Sequence, residues 1–459
     1  GTLSNGDKVV INSDGTVSTV YEISESQSVG STSVFEAGTT IWLSSTFDSN
    51  SNKVVIAYQD DSNGSVGTAV VGTVSGTSIS FGTPVVFQTG FTDRIAATFD
   101  SNSNKVVIAY RNSTSGKAIV GTVSGTSISF GSSTTFLSGG NALEIAATFD
   151  SNENKVVVCF EDSTNSDNAT AIVGNVSGTS ISFGTKVSFD TNPEFMSVTF
   201  DSNSNKVVAF YRDQTATTSV AAVGTVSGTS ISFGTPVTIV FSNTTYQSCA
   251  FDSTTNQIIF AYKANYGQVN VGTVSGTTIT NVGPATVFVS DPATEISVSY
   301  NEHSKTAVIA FAWGGYGDRG RVVDCSISGN TLSAGSHISF DTTSPDYYMV
   351  TVFDSSQNKT VISWRDTGNS NYGTSVVYQS GFVDNNLTSE NYIGISDASY
   401  SDGETATVQV VGSVDDAQSG LTAGQHYYVQ NDNTLSTSPD SPSVFAGTAV
   451  SATKIIVKG

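Results

Sequence analysis

Residues 46–58 read TFDSNSNKVVIAY, and the identical phrase returns at 98–110. Close copies follow at 148–160 and 199–211. Looser ones follow at 250–262 (AFDSTTNQIIFAY), 299–311 (SYNEHSKTAVIAF) and 352–364 (VFDSSQNKTVISW). The second residue of each copy is an aromatic anchor: Phe47, Phe99, Phe149, Phe200, Phe251, Tyr300 and Phe353. A fixed period near 51 residues, repeated seven times, is the signature of a propeller, solenoid or array. The phrase itself selects among these. KVVIAY is continuously apolar, as a strand buried on both faces must be. The residues just before each anchor are small (Ser44-Ser45, Ala96-Ala97, Ala146-Ala147), which suits a strand crowded around an axis.

Working outward from the second copy, each unit holds four strand signals. Residues 95–99 form the first and 105–110 the second. A polar loop spans 111–117, the third strand is 118–123, and the fourth starts at 126–130 after a Ser-Gly turn. Helical periodicity is nearly absent. The expected fold is all-β, a seven-bladed propeller of four-stranded blades. The seventh unit lacks a fourth strand of its own. At the other end, residues 28–35 align without a gap on the fourth strand of the first unit, with Val29-Gly30 on Phe81-Gly82. That N-terminal strand is expected to complete the last blade and remove an exposed sheet edge.

The segments flanking the repeat carry their own pattern. Leu3–Ser18 and Leu421–Ser436 align without gaps, sharing Leu, Gly, Asp and Thr at matching places. The expected organisation is therefore a small β-sandwich or barrel module made from residues 1–26 and 383–459, with the propeller, residues 27–382, inserted between its parts.

Composition narrows function. The net charge of -21 comes from 39 acidic against 18 basic residues, and only 12% of the chain is charged. No Lys/Arg cluster exists, so neither nucleic acid nor an anionic membrane surface is an expected partner. No apolar run reaches the ~20 residues of a membrane span. No basic-then-apolar leader follows Gly1, so none is expected within this stretch. Cys159, Cys249 and Cys325 fall in different units and fit buried small apolar positions rather than a disulfide framework. The Asp-x-Asn-x-Asn turns starting at Asp48, Asp100, Asp150 and Asp201 resemble the opening of a calcium loop. They lack its Gly and distal Glu, and fit side-chain-closed turns better. No metal and no cofactor is expected.

On a propeller, the loops joining fourth to first strands and second to third strands share one face, where a rigid frame presents variable residues. Trp42, Tyr246, Tyr266, Trp313, Tyr316, Tyr347, Tyr348 and Tyr372 fall there, with Arg365 and Asp366 beside them. Flat aromatics next to such polar groups suit sugar rings. Charged residues following the second strands (Asp60, Arg111, Glu161 with Asp162, Arg212 with Asp213, Lys263) are expected to ring the channel mouth and pair between blades. Glu144, Glu194 and Glu295 lie just before first strands, where two carboxylates can meet as in glycosidases. The three histidines, His303, His337 and His426, stand apart from any nucleophile, and no catalytic residue is expected.

The phrases GDKVVINSDGTV, YIGISDASYSDGETATVQVVG, SGLTAGQHYYVQ and FAGTAVSATKIIVKG resemble those in structural proteins of tailed phages, marine and cyanobacterial ones in particular. FDSNSNKVVIAYRD and VGTVSGTSISFGTPVVF are similar to propeller-like segments of the same proteins. The resemblance implies a virion or extracellular component of tail-fibre or adhesin type, part of an oligomeric assembly. Its small module would contact other virion proteins and its propeller host-surface glycans. The alternatives are a purely structural capsid or tail decoration protein, and a secreted glycan-active enzyme or lectin.

Overall fold

A computed structural model describes residues 1–314, 319–342, 346–440 and 442–458. The chain divides into two compact units, residues 27–380, and residues 1–26 together with 381–459.

The larger unit is a β-propeller with, among the described residues, seven antiparallel blades. The second blade shows the plan. Its inner strand Thr92–Asp100 pairs with Lys105–Asn112, which pairs with Ser115–Ser124. The fourth strand comes in two pieces, Ser127–Phe130 and Thr134–Leu137, which pair with opposite halves of Ser115–Ser124. The expected polar loop at 111–117 shrinks to two residues, because Arg111 and Asn112 still pair across the ladder with Gly116 and Ser115. The inner strand also starts earlier than expected, so Glu144, Glu194 and Glu295 lie within inner strands rather than before them.

Each inner strand contacts the inner strand of the next blade, and that of the seventh contacts that of the first. Ser28–Val29 pairs with Tyr378 and Gln379, and residues 33–39 pair with Tyr372–Ser375. One strand, Ser33–Asp48, thus runs from the outside of the seventh blade into the centre of the first. The backbone N–H of Gly30 donates to Val377, as that of Gly82 donates to Val71 one blade on.

The apolar phrase supplies the cores between blades. Val107 and Ala109 pack toward Val156, Val158 and Phe160 of the third blade. The alternate residues Val106, Ile108 and Tyr110 pack toward Val55 and Ala57 of the first. A strand that feeds two cores needs apolar residues on both faces, and each fully buried side chain of this size contributes roughly 1.5–3 kcal/mol. Cys159, Cys249 and Cys325 are buried and free within these cores.

The turn after every inner strand is closed by its first residue. One side-chain oxygen of Asp48, Asp100, Asp150, Asp201, Asp252, Asn301 and Asp354 accepts the backbone N–H groups two and three residues on, at 2.8–3.2 Å. Those oxygens serve the turn, and no group of three His, Cys, Asp or Glu side chains placed to hold a metal ion occurs among the described residues.

The smaller unit repeats itself. The hairpin Lys8–Ile11 with Val17–Thr19 corresponds to His426–Val429 with Leu435–Ser436, each residue displaced by 418 positions (421 − 3). The neighbouring strands match as well. Val9 faces Gly394 and Tyr427 faces Gly447, each followed by a register shift at the same place. Thr16 and Thr434 both donate to the Asp two residues before them.

Candidate functional site

The propeller mouth is built by one irregularity repeated in every blade. Between Asp93 and Ala96 the inner strand carries one residue more than its partner between Arg111 and Ala109. The same shift recurs in all the other inner strands. The extra residue forces a left-handed backbone, found at Trp42 (φ 54), Arg94 (φ 50), Glu144 (φ 46), Phe195 (φ 52), Tyr246 (φ 57), Glu295 (φ 52) and Tyr348 (φ 55). Each stands five positions before its aromatic anchor. The residue that follows is buried every time: Leu43, Ile95, Ile145, Met196, Gln247, Ile296 and Met349. The bulge thus lifts one side chain into a collar above an enclosed layer.

Glycine adopts this conformation with least strain. The chain has 43 glycines, yet none occupies a collar position. Bulky residues held there cost on the order of 1–3 kcal/mol each, and such strain clusters at ligand sites.

Collar side chains engage one another and the second strands behind them. Trp42 and Tyr348 lie with ring centroids 5.2 Å apart. The Arg94 guanidinium covers Trp42 at 4.2 Å, and Arg365 covers Tyr348 at 5.1 Å and Tyr347 at 4.7 Å. Farther round, Phe195 and Tyr246 are 5.5 Å apart, under Arg212 at 5.7 Å and Lys263 at 5.9 Å. Arg94 Nη1 donates to Glu144 Oε1 at 2.6 Å. The carboxylates also fix the next blade: Glu144 accepts the backbone N–H of Phe195, and Glu295 that of Tyr348, both at 2.7 Å. Trp42, Arg94, Glu144, Met196 and Tyr348 line a recess of about 130 Å³. Behind Glu144, the Glu161 carboxyl is pushed up to about 7 by burial, then by the charges of Glu144 and Asp167, against the pull of Arg94.

Of the residues singled out in the sequence, Trp42, Tyr246, Tyr348, Glu144 and Glu295 belong to this collar, and Tyr347 and Arg365 adjoin it. Tyr266 is exposed in the short connection after the fifth blade's second strand. Trp313 closes the second strand of the sixth blade, where its Nε1 donates to Asp291 at 2.9 Å and its ring meets His337. Tyr372 pairs with Thr39 in the closing strand. Asp366 caps the turn at Thr367–Asn369, accepting from Asn369, and burial raises its carboxyl. Tyr316 lies outside the described residues. The pairing expected between blades is corrected for two of the charged residues. Arg111 binds Asp93 and Arg212 binds Glu194, both within one blade, because their strand places them directly opposite those acids. Asp60 and Asp162 cap turns as Asp366 does.

Sequence reasoning missed Arg94 and Phe195. Their signal is the column five before each anchor, where a repeated phrase abruptly changes chemistry.

No family model and no curated protein matches this sequence. Solved structures do match it. The β-propeller domain of Cps50 (Swd1) from Myceliophteria thermophila superposes with a TM-score of 0.50 at 8% identity, covering 76% of this chain and 99% of that one. Hydrazine synthase of Kuenenia stuttgartiensis gives 0.49 at 9%, covering 72% and 94%. The SapL1 lectin, solved with alpha methyl fucoside, gives 0.42 at 13%, covering 66% and 98%. At such identities the likeness concerns architecture alone: residues 27–380 carry the fold of a β-propeller.

Proposed function

We propose that the propeller is a non-enzymatic carbohydrate-binding head, displayed by a virion protein of tail-fibre or adhesin type. The observation that carries the binding half is the collar. Seven strained backbones each present a side chain where glycine would relieve the strain. Three of the four aromatics among them are Trp or Tyr, which combine an apolar face with a polar edge. Guanidinium groups lie against them, with carboxylates adjacent. Aromatic faces stack on the C–H face of a sugar, and the flanking donors and acceptors meet its hydroxyls. The phage half rests on the resemblance of both the repeat and the small module, which would attach the head to other virion proteins.

The test uses glycine, which accepts φ near 55° and leaves the bulge unstrained. Trp42→Gly with Tyr348→Gly should fold and lose at least tenfold in binding to a polysaccharide array and to host cells. Unchanged binding would move the ligand away from the mouth. Absence of binding by the unaltered protein would count against the carbohydrate reading itself.

A further inference from the structure

Taken in ring order, the collar reads Glu144, Phe195, Tyr246, Glu295, Tyr348, Trp42, Arg94. Glutamate followed by two aromatics occurs twice, with Arg94 as the unmatched seventh member. The correspondence extends to contacts. In each set the glutamate accepts the backbone N–H of the first aromatic at 2.7 Å. In each, the two aromatic rings meet at 5.2–5.5 Å with tilted planes (55° and 46°). A second-strand arginine of the same blade covers the first aromatic: Arg212 over Phe195, Arg365 over Tyr348. A second cation covers the other: Lys263 over Tyr246, Arg94 over Trp42. Arg212 and Arg365 stand at equivalent places, opposite Glu194 and Tyr347.

A seven-fold frame has no two-fold axis, so this pairing does not follow from the architecture. The blades agree at the anchor, the turn and the apolar strand, whereas the collar column is free to vary. Against that freedom, a glutamate followed by two touching aromatics, each covered by a cation, appears twice, although the second cation comes from the fifth blade's second strand in one set (Lys263) and from the next blade's collar in the other (Arg94). Resting on the carbohydrate reading above, we infer that the mouth holds two equivalent sugar subsites, one at Phe195 and Tyr246 and one at Tyr348 and Trp42. The ligand class is then a repeating polysaccharide, two of whose residues fill the two subsites at once. A chain held twice gains through effective concentration without any further contact.

Titration calorimetry on the intact chain tests this. The probes are oligosaccharides of two and eight residues cut from the array polysaccharide retained most strongly. The disaccharide should titrate two per chain. The octasaccharide should titrate one per chain and bind at least ~10²-fold more tightly. Phe195→Gly with Tyr246→Gly, and separately Trp42→Gly with Tyr348→Gly, should each reduce the disaccharide count to one and abolish the octasaccharide gain. One disaccharide per unaltered chain, or no gain with length, overturns the two-subsite inference while leaving carbohydrate binding intact. No retained polysaccharide at all overturns the carbohydrate reading instead. Should one variant pair fail to fold, the count on the unaltered protein and on the other pair still decides.

Discussion

Glu144 and Phe195 sit one blade apart, and Glu144 Oε2 accepts the Phe195 backbone N–H at 2.7 Å. That N–H belongs to a left-handed residue and has left the ladder of its own blade. A side chain of one blade therefore satisfies the backbone of the next at the point where strain concentrates. Glu144→Ala should cost about 1–3 kcal/mol in urea denaturation, because the donor loses its partner in a half-buried setting. Amide exchange at Phe195 should accelerate in the same variant. Glu144→Gln keeps an acceptor and loses only the ion pair with Arg94, so its effect should be smaller.

Blade spacing rests on a second repeated contact. A Cβ at Gly82 would overlap the carbonyl oxygen of Thr126 in the next blade, and one at Gly30 that of Thr77. Gly335 faces no such turn, its nearest neighbour being the Asp324 carbonyl oxygen at 3.2 Å. Overpacking against backbone cannot be relieved by a rotamer change. Gly82→Ala and Gly30→Ala should each destabilise by about 3 kcal/mol or more, and Gly335→Ala by well under half of that. Thermal melts of the three variants provide the comparison.

Glu161 makes the mouth sensitive to pH. Its carboxyl titrates near 7 in the folded protein, raised chiefly by burial. The folded state therefore holds a proton that the unfolded chain releases near the ordinary glutamate range of ~4.3. The resulting stabilisation is complete below that range and disappears as pH rises through about 7. Glu161→Gln should flatten stability between about pH 4 and 7, the span between the unfolded and folded titrations. A carboxyl resonance titrating below 5 in the unaltered protein would contradict it.

The thiols of Cys159, Cys249 and Cys325 are each pushed up to about 12, by burial above all. The thiolate is the reactive form, and access is closed as well. Iodoacetamide at pH 8 should leave the folded protein unlabelled and modify all three cysteines in denaturant, as read by intact mass.

The frame was legible in the sequence because its causes are periodic. The anchors Phe47 to Phe353, the Asp turns and the apolar second strands obey spacing and side-chain chemistry, which a linear chain displays directly. The collar was partly legible: Glu144 and Glu295 stood out as acids near the first strands. Trp42, Tyr246 and Tyr348 stood out as aromatics, but Arg94 and Phe195 did not. Their common property is a backbone angle created by one extra residue opposite a partner strand, and that mismatch exists only once the strands pair. Trp313 stood out by its size, and it pairs with Ala293 at the start of the sixth inner strand. A hydrogen bond to Asp291 and contact with His337 fix its ring there, neither of which the sequence displays. The division of the fourth strand into two pieces was hidden because a Gly-x-x break looks the same whether a strand ends or resumes.

The pairing of Glu36 with Gly373 joins residues 337 positions apart (373 − 36). On a ribosome, the strand that finishes the last blade emerges first and waits for nearly the whole propeller to be synthesised. Closing a loop of that length forfeits about 5 kcal/mol of chain entropy. Six blades can stack as they appear, but the circle is sealed in a single late step. The same seam, between the third and fourth strands of the seventh blade, is where a loaded or heated ring should part first. Parting there also separates the seventh inner strand from the first, and with it Tyr348 from Trp42, so a ligand seated on that pair would also act as the clasp.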